Sequence, residues 1–197
     1  MLEWQSRKVR YRVSLLFPAL VTALLLWQPD GLAVSCLLAS LIHEGGHLLA
    51  MLLLGVPPQN CTVGAFGMRI DLDNPLVDYR KNLLISIGGP LVNGLAAAGL
   101  LLFDSPDIAM VHLVLAGLNL LPAAALDGGE ILRCGLCLLG MESLVRPMLR
   151  LSSALVLLPL ASLSFWLCFR GNNPTLLIVS AYLVALIFFS DKCEKNS

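Results

Sequence analysis

The sequence predicts an all-α polytopic membrane protein of about six transmembrane helices, with a short membrane-associated β-hairpin and one broken helix. Three observations carry that expectation. The 197-residue chain is 57% hydrophobic and only 13% charged, with a mean hydropathy of +0.82, beyond the range of ordinary soluble domains. Its apolar runs recur at the length, roughly 20 residues, that a helix needs to cross a bilayer. Its basic residues fall on one side of those runs when the chain is threaded back and forth. A soluble fold would have to bury nearly every helix on all sides, and a chain of this size encloses too little volume.

Taken in order, Arg7, Lys8, Arg10 and Arg12 precede the first apolar run, Val13 to Trp27. A secretory signal peptide begins the same way. Here no small-residue cleavage site follows at once and another span starts almost immediately, so the run reads as a retained span. Further spans are expected at 32–55, 83–103, 108–139 (interrupted), 147–169 and 174–190. With the N-terminus in the cytoplasm, Arg69, Arg80, Lys81, Arg146, Arg150, Lys192 and Lys195 all fall on the cytoplasmic side. Asp30, Asp104 and Asp107 then face outward, with Arg170 the one outward basic residue. Both termini are expected to be cytoplasmic, in a multi-pass cell-membrane protein.

The fourth run carries Asn119, Pro122, Asp127 and Gly128-Gly129. Proline removes a backbone donor and clashes with the preceding turn, so the helix breaks or kinks there. Such breaks are tolerated at membrane depth where they line a protein-buried or watery cavity. Between the second and third spans, Phe66, Met68, Ile70 and Leu72 alternate with Gly67, Arg69, Asp71 and Asp73, which is strand periodicity. Gly64 and Gly67 could turn a short hairpin there, and an amphipathic loop on the headgroups fits the pattern equally well. The whole of 1–197 reads as one transmembrane domain, without repeats or a separate soluble module. Zero net charge supplies no global field for nucleic acid, which is not expected as a partner. Of the six cysteines most lie in apolar runs, where a thiol packs as a small hydrophobe. Cys134-x-x-Cys137 lacks the second pair that a zinc or redox reading needs.

The chemistry is concentrated in His43-Glu44-Gly45-Gly46-His47, inside the apolar stretch Leu32 to Val56. H-E-x-x-H on a helix places two imidazoles on one face with a carboxylate beside them, a metal-and-base pattern. Ionisable groups in a span are costly and usually functional; the plainer alternative is a hydrogen-bonded intramembrane polar cluster. Gly45 and Gly46 each cost about 1 kcal/mol relative to alanine in a helix, which suggests close approach by another helix or by substrate. Two imidazoles alone make a poor catalytic zinc site, which takes three protein ligands and an open position. His112 is the one histidine left, and a lone histidine there reads as a packed polar residue. Asp127, directly after the break, is the better third ligand. Glu130 could support the site or simply pair with Arg133 three residues on. Two neutral imidazoles and one carboxylate leave a net positive zinc centre able to acidify a bound water, with Glu44 as the base that carries the proton to the leaving amine.

Three segments together, His43-Glu44-x-x-His47, Gly88-Gly89-Pro90-Leu91-x-Asn93 and Asn119-Leu-Leu-Pro122-x-x-x-Leu126-Asp127-Gly128-Gly129, resemble the signature segments of the site-2 protease family of intramembrane zinc metalloproteases. The resemblance covers roughly residues 32–140, in the right order. It implies one Zn2+ per chain held by His43, His47 and Asp127, with Glu44 as general base. It also implies that Asn93 approaches the active site, where its amide could donate to a tetrahedral oxyanion. An extended substrate could pair with the hairpin edge. The compact form, six spans with no PDZ insertion, is similar to the sporulation branch, whose members release a sigma factor from a membrane-tethered precursor; membrane inhibitor proteins are a further expected class of partner, beside the bilayer itself. The branch's C-terminal CBS domain is not found in this sequence, Glu130 stands where relatives commonly carry arginine, and Ala123 and Ala124 replace bulkier residues or proline. Two other readings compete. One is a catalytically silent relative that holds membrane clients. The other is a metal-ion transporter, which needs ligands along a path but no general base.

Overall fold

The computed structural model describes residues 2–6, 9–13, 31–56, 58–64, 67–72, 78–124 and 126–171. The expected span at 13–27 (apart from Val13) and the one at 174–190 lie outside them. The chain divides into two compact units, Met1–Gly117 and Leu118–Ser197.

In the first unit, four strands form one sheet in the order β1-β2-β3-β4. They are β1 (Leu2–Ser6), β2 (Val9–Val13), β3 (Pro58–Gly64) and β4 (Gly67–Leu72). β1 and β2 pair antiparallel, β2 and β3 parallel. β3 and β4 pair antiparallel with Gly64 opposite Gly67, and the register shifts between Pro58 and Asn60. The all-helical expectation allows for one hairpin only, so the strands at the N-terminal end are a correction to it. Val9-Arg10-Tyr11-Arg12-Val13 alternates β-branched or aromatic residues with arginine, a strand pattern. The same arginines also read as the basic flank of a span, and that reading concealed the period.

Two helices follow that are long and apolar enough to cross a membrane, α1 (Leu32–Leu53) and α2 (Tyr79–Leu102). Among the described residues these are the two such helices, where the sequence suggested six spans along the whole chain. α1 ends in a Schellman turn. Gly55 takes φ 65°, while Val56 N–H donates to Met51 and Gly55 N–H to Leu52, satisfying carbonyls the helix would leave open. The Asp78 carboxylate caps α2 by accepting from Arg80 N–H at 3.2 Å. Lys81 Nζ donates to the Leu54 carbonyl at 3.1 Å, tying the start of α2 to the end of α1.

The burial pattern of α1 matches that expected of a membrane-spanning helix. Leu38, Leu41, Leu49 and Leu53 are exposed, whereas the buried residues are Ala33, Ala39, His43, Gly46, His47 and Met51. Small and polar residues face the neighbouring helix and leucines face outward, as expected where apolar burial itself does not drive helix association. Gly46 and Gly88 are the point of closest approach. A Cβ on Gly46 would lie 2.5 Å from the Gly88 carbonyl oxygen, and one on Gly88 would lie 2.8 Å from the Gly46 oxygen. Gly45 has nothing within 4 Å of where its Cβ would be. Only one of the two motif glycines therefore serves helix packing. A shorter apolar helix, α3 (Pro106–Asn119), carries His112.

In the second unit the chain breaks as Pro122 requires. It leaves helical structure after Asn119 and re-enters it as α4 (Asp127–Leu138). Short backbone bonds shape the break: Ala123 N–H to Leu121 at 2.7 Å and Leu126 N–H to Ala123 at 2.9 Å. The Ser153 hydroxyl, buried on α5 (Glu142–Gly171), accepts from Ala124 N–H at 3.0 Å. α4 and α5 are joined at Gly140, φ 72°, through a second Schellman turn.

Candidate metal centre

His43 and His47 stand one turn apart on the face of α1 that α2 covers, exposed by only 5% and 9%. Their rings meet edge to face with centroids 4.9 Å apart, and their Nε2 atoms are 3.2 Å apart. Two nitrogens on one tetrahedral zinc, each at about 2.0–2.1 Å, lie about 3.3 Å from each other. The pair is spaced as two ligands of one ion.

The orientation of His47 is set from the far side of its ring. Nδ1 lies 2.8 Å from the Ile85 carbonyl on α2. A carbonyl can only accept, so Nδ1 carries the proton and Nε2 keeps its lone pair, the tautomer a metal ligand requires. Gly89 makes room for both rings. A Cβ there would collide with His47 Nε2 and stand 2.8 Å from His43 Cε1. The Gly88-Gly89 pair thus has two functions, one against the backbone of α1 and one against its imidazoles.

Asn93 lies one turn beyond Gly89 and is fully buried. Its Nδ2 is 3.3 Å from His43 Nδ1, and its Oδ1 is 3.1 Å from Nδ1 of His112, which is itself 3% exposed. The first unit therefore brings His43, His47, Asn93 and His112 into one polar cluster inside apolar helices. The sequence marks His112 as a packed polar residue, and it is one. Its partner could not be read from the sequence, although Asn93 and His112 are each an isolated polar side chain in an apolar run. Glu44, next to His43 on the adjoining flank of α1, is half-buried.

The second unit prepares Asp127 in a different way. It is the first residue of α4, where a carboxylate is favoured by the positive end of the helix dipole. One of its oxygens is shut off from solvent. The chain before it folds back closely over the helix start. A Cβ on Gly128 or Gly129 would collide with the carbonyls of Leu120, Leu121 and Ala123. Glu130 takes the role of an ion-pair partner. Both its oxygens accept from Arg133, through Nε at 2.7 Å and through the terminal nitrogen. Cys134 and Cys137 are free thiols, and Cys134 donates to Glu130 at 3.4 Å.

Comparison with known proteins finds likeness in sequence and in fold. No family model matches the chain. Over 127 residues it is 29% identical to a Synechocystis protein named "Putative zinc metalloprotease sll0528", a match that covers 58% of this chain. The chain spans 31% of the length of that relative. Its fold matches the solved structure of the site-2 protease from Methanocaldococcus jannaschii with a TM-score of 0.61 at 20% identity, over 97% of this chain and 94% of the other. The chain is therefore folded like a site-2 protease.

Proposed function

We propose that this chain is an intramembrane zinc metalloendopeptidase, hydrolysing a peptide bond in or near the membrane segment of a membrane-associated precursor. The observation that carries the reading is the His43–His47 pair on an apolar helix. Its Nε2 atoms are 3.2 Å apart, and at His47 the Ile85 carbonyl accepts from Nδ1–H, so that Nε2 is the ring's acceptor nitrogen. The donor set of this reading is His43, His47 and Asp127, two imidazole nitrogens and one carboxylate, a combination that suits zinc. The likeness in fold to a site-2 protease and in sequence to a zinc metalloprotease supports the same reading.

Bound there, zinc would polarise the scissile carbonyl and acidify a water. The chain's own residues do the rest. Glu44 takes the proton as the water oxygen bonds to the carbonyl carbon, then delivers it to the nitrogen as the carbon–nitrogen bond breaks. Gly45, open on the surface of α1 beside Glu44, leaves that flank free of side-chain bulk. The exposed leucines of α1 and α2 support a setting among lipid tails, where an intramembrane peptide bond would be presented.

The finer reading is an enzyme of the sporulation type, releasing a sigma factor from a tethered precursor, multi-pass with both termini cytoplasmic. It rests on the compact form, six expected spans with no PDZ insertion, and on the distribution of basic residues. Purified protein should hold one zinc per chain and cleave a tethered precursor in vesicles. Glu44→Gln should keep the zinc and lose the cleavage. A Glu44→Gln protein that cleaves at the wild-type rate would exclude this mechanism. Zinc-dependent ion flux without cleavage would establish the transporter, and zinc-bound protein that holds precursors uncut would establish the silent relative.

A further inference from the structure

The amide of Asn93 is the hinge of the buried cluster. One end faces Nδ1 of His43 at 3.3 Å and the other faces Nδ1 of His112 at 3.1 Å. Oxygen and nitrogen of an amide are nearly the same size, so two senses fill the same space. They differ in consequence. With Nδ2 toward His43, the amide donates, Nδ1 of His43 accepts, and the ring's proton sits on Nε2, pointed at His47. With Oδ1 toward His43, Nδ1–H of His43 donates to the amide and Nε2 presents a lone pair. The amide nitrogen then donates to Nδ1 of His112, whose own proton is on Nε2.

The second sense makes His43 equivalent to His47, whose Nδ1–H already donates to the Ile85 carbonyl. Metal-bound imidazoles as a rule donate their other N–H to an oxygen, which fixes tautomer and ring angle. α2 would then supply both oxygens, a backbone carbonyl for His47 and an amide oxygen, two turns later, for His43. Asn93 is wholly enclosed, so no water can replace either of its partners. In this sense His112, on α3, is the acceptor for the amide nitrogen.

On the metal-centre reading above, we infer that Asn93 and His112 are positioning residues for His43. Asn93 presents its amide oxygen to His43 Nδ1–H, and His112 secures that sense by accepting from the amide nitrogen. The amide is thereby committed to a ligand and is not the donor to the reacting carbonyl.

The test is zinc affinity in the full-length protein in detergent, measured by competition with a chromophoric chelator, alongside helix content by circular dichroism. Removing an oxygen that orients a metal-bound histidine typically weakens binding about 10- to 100-fold, and Asn93→Leu should do so. Asn93→Asp keeps an acceptor oxygen and should hold zinc within a few-fold of wild type, which a packing role alone would not rescue. His112→Phe should fall between them. The inference is overturned if Asn93→Leu binds zinc as wild type does while cleavage stops, since the amide would then serve the reacting carbonyl. Equal losses in Asn93→Leu and Asn93→Asp, with helix content intact, overturn it as well. His43→Ala guards the underlying reading: if that variant binds zinc as tightly as wild type, the metal centre itself is misplaced.

Discussion

The two places that prepare ligands, the α1–α2 crossing and the break before α4, both depend on paired glycines, but the glycines serve different purposes. At the crossing, Gly46 and Gly88 let two regular helices touch backbone to backbone, and Gly89 clears space for two rings. At the break, Gly128 and Gly129 let the chain lie on the helix it is about to enter. The imidazoles are thus placed by tertiary packing between segments some 40 residues apart, as the His47–Ile85 bond spans 38 positions. The carboxylate is placed by local chain geometry within ten residues. The first arrangement depends on distant side chains staying small, the second on a proline and a turn.

Experiments can break or sharpen that contrast. The largest effect should come from neither region's packing but from the base between the histidines. Glu44→Gln should lower the cleavage rate of a membrane-tethered precursor by about 10²- to 10⁴-fold, the range for removal of a general base, with zinc content unchanged by elemental analysis. Next come the crossing glycines. Gly89→Ala forces a methyl into both rings, and overpacking of this kind costs about 1–3 kcal/mol. Zinc affinity and thermal stability should fall together, and Gly46→Ala should lower stability more than affinity. At the break, Gly128→Ala meets the carbonyls of Leu120 and Leu121 and should cost a similar amount, with the loss seen in proteolysis of the 120–126 segment. Ser153→Ala removes one hydrogen bond to Ala124 and should cost about 1 kcal/mol. Smallest is Gly45→Ala. Nothing lies within 4 Å of its Cβ, so it should be neutral or more stable by up to about 1 kcal/mol from helix propensity. If Gly45→Ala instead destabilises as much as Gly46→Ala, the assignment of the two motif glycines is wrong.

The parts of the site that were legible in the sequence are those written in one segment. His43 and His47 share a face because they are four apart, and the run around them is long enough to make the helix certain. Pro122 announced the break, and Asp127 followed it closely enough to be chosen over His112. Spacing offered the Glu130–Arg133 pair as one of two readings of Glu130, and the structure shows the pair. The parts that were not legible need a rotational phase or a contact between segments. Gly45 and Gly46 look identical until α2 is seen to touch one of them. His112 and Asn93 are 19 residues apart on different helices, and only their packing shows that one holds the other. Residues 9–13 satisfy two patterns at once, and the basic flank was the more familiar of the two.

The Ile85 carbonyl that holds His47 belongs to the main chain. No substitution at position 85 can delete it, so this half of the ligand sphere tolerates drift in the side chain that nominally carries it. Within a helix the same oxygen would be expected to accept from the backbone of Gly89 as well, and Pro90 beside it has no N–H to offer Ser86. The sensitivity is therefore displaced four residues along α2, onto Gly89, whose missing side chain leaves room for both rings. Mutational scans of the chain should accordingly show zinc binding indifferent to exchanges at 85 among apolar side chains that still fill its buried position, and intolerant of any side chain at 89, a pattern in which the residue doing the holding is the one least marked.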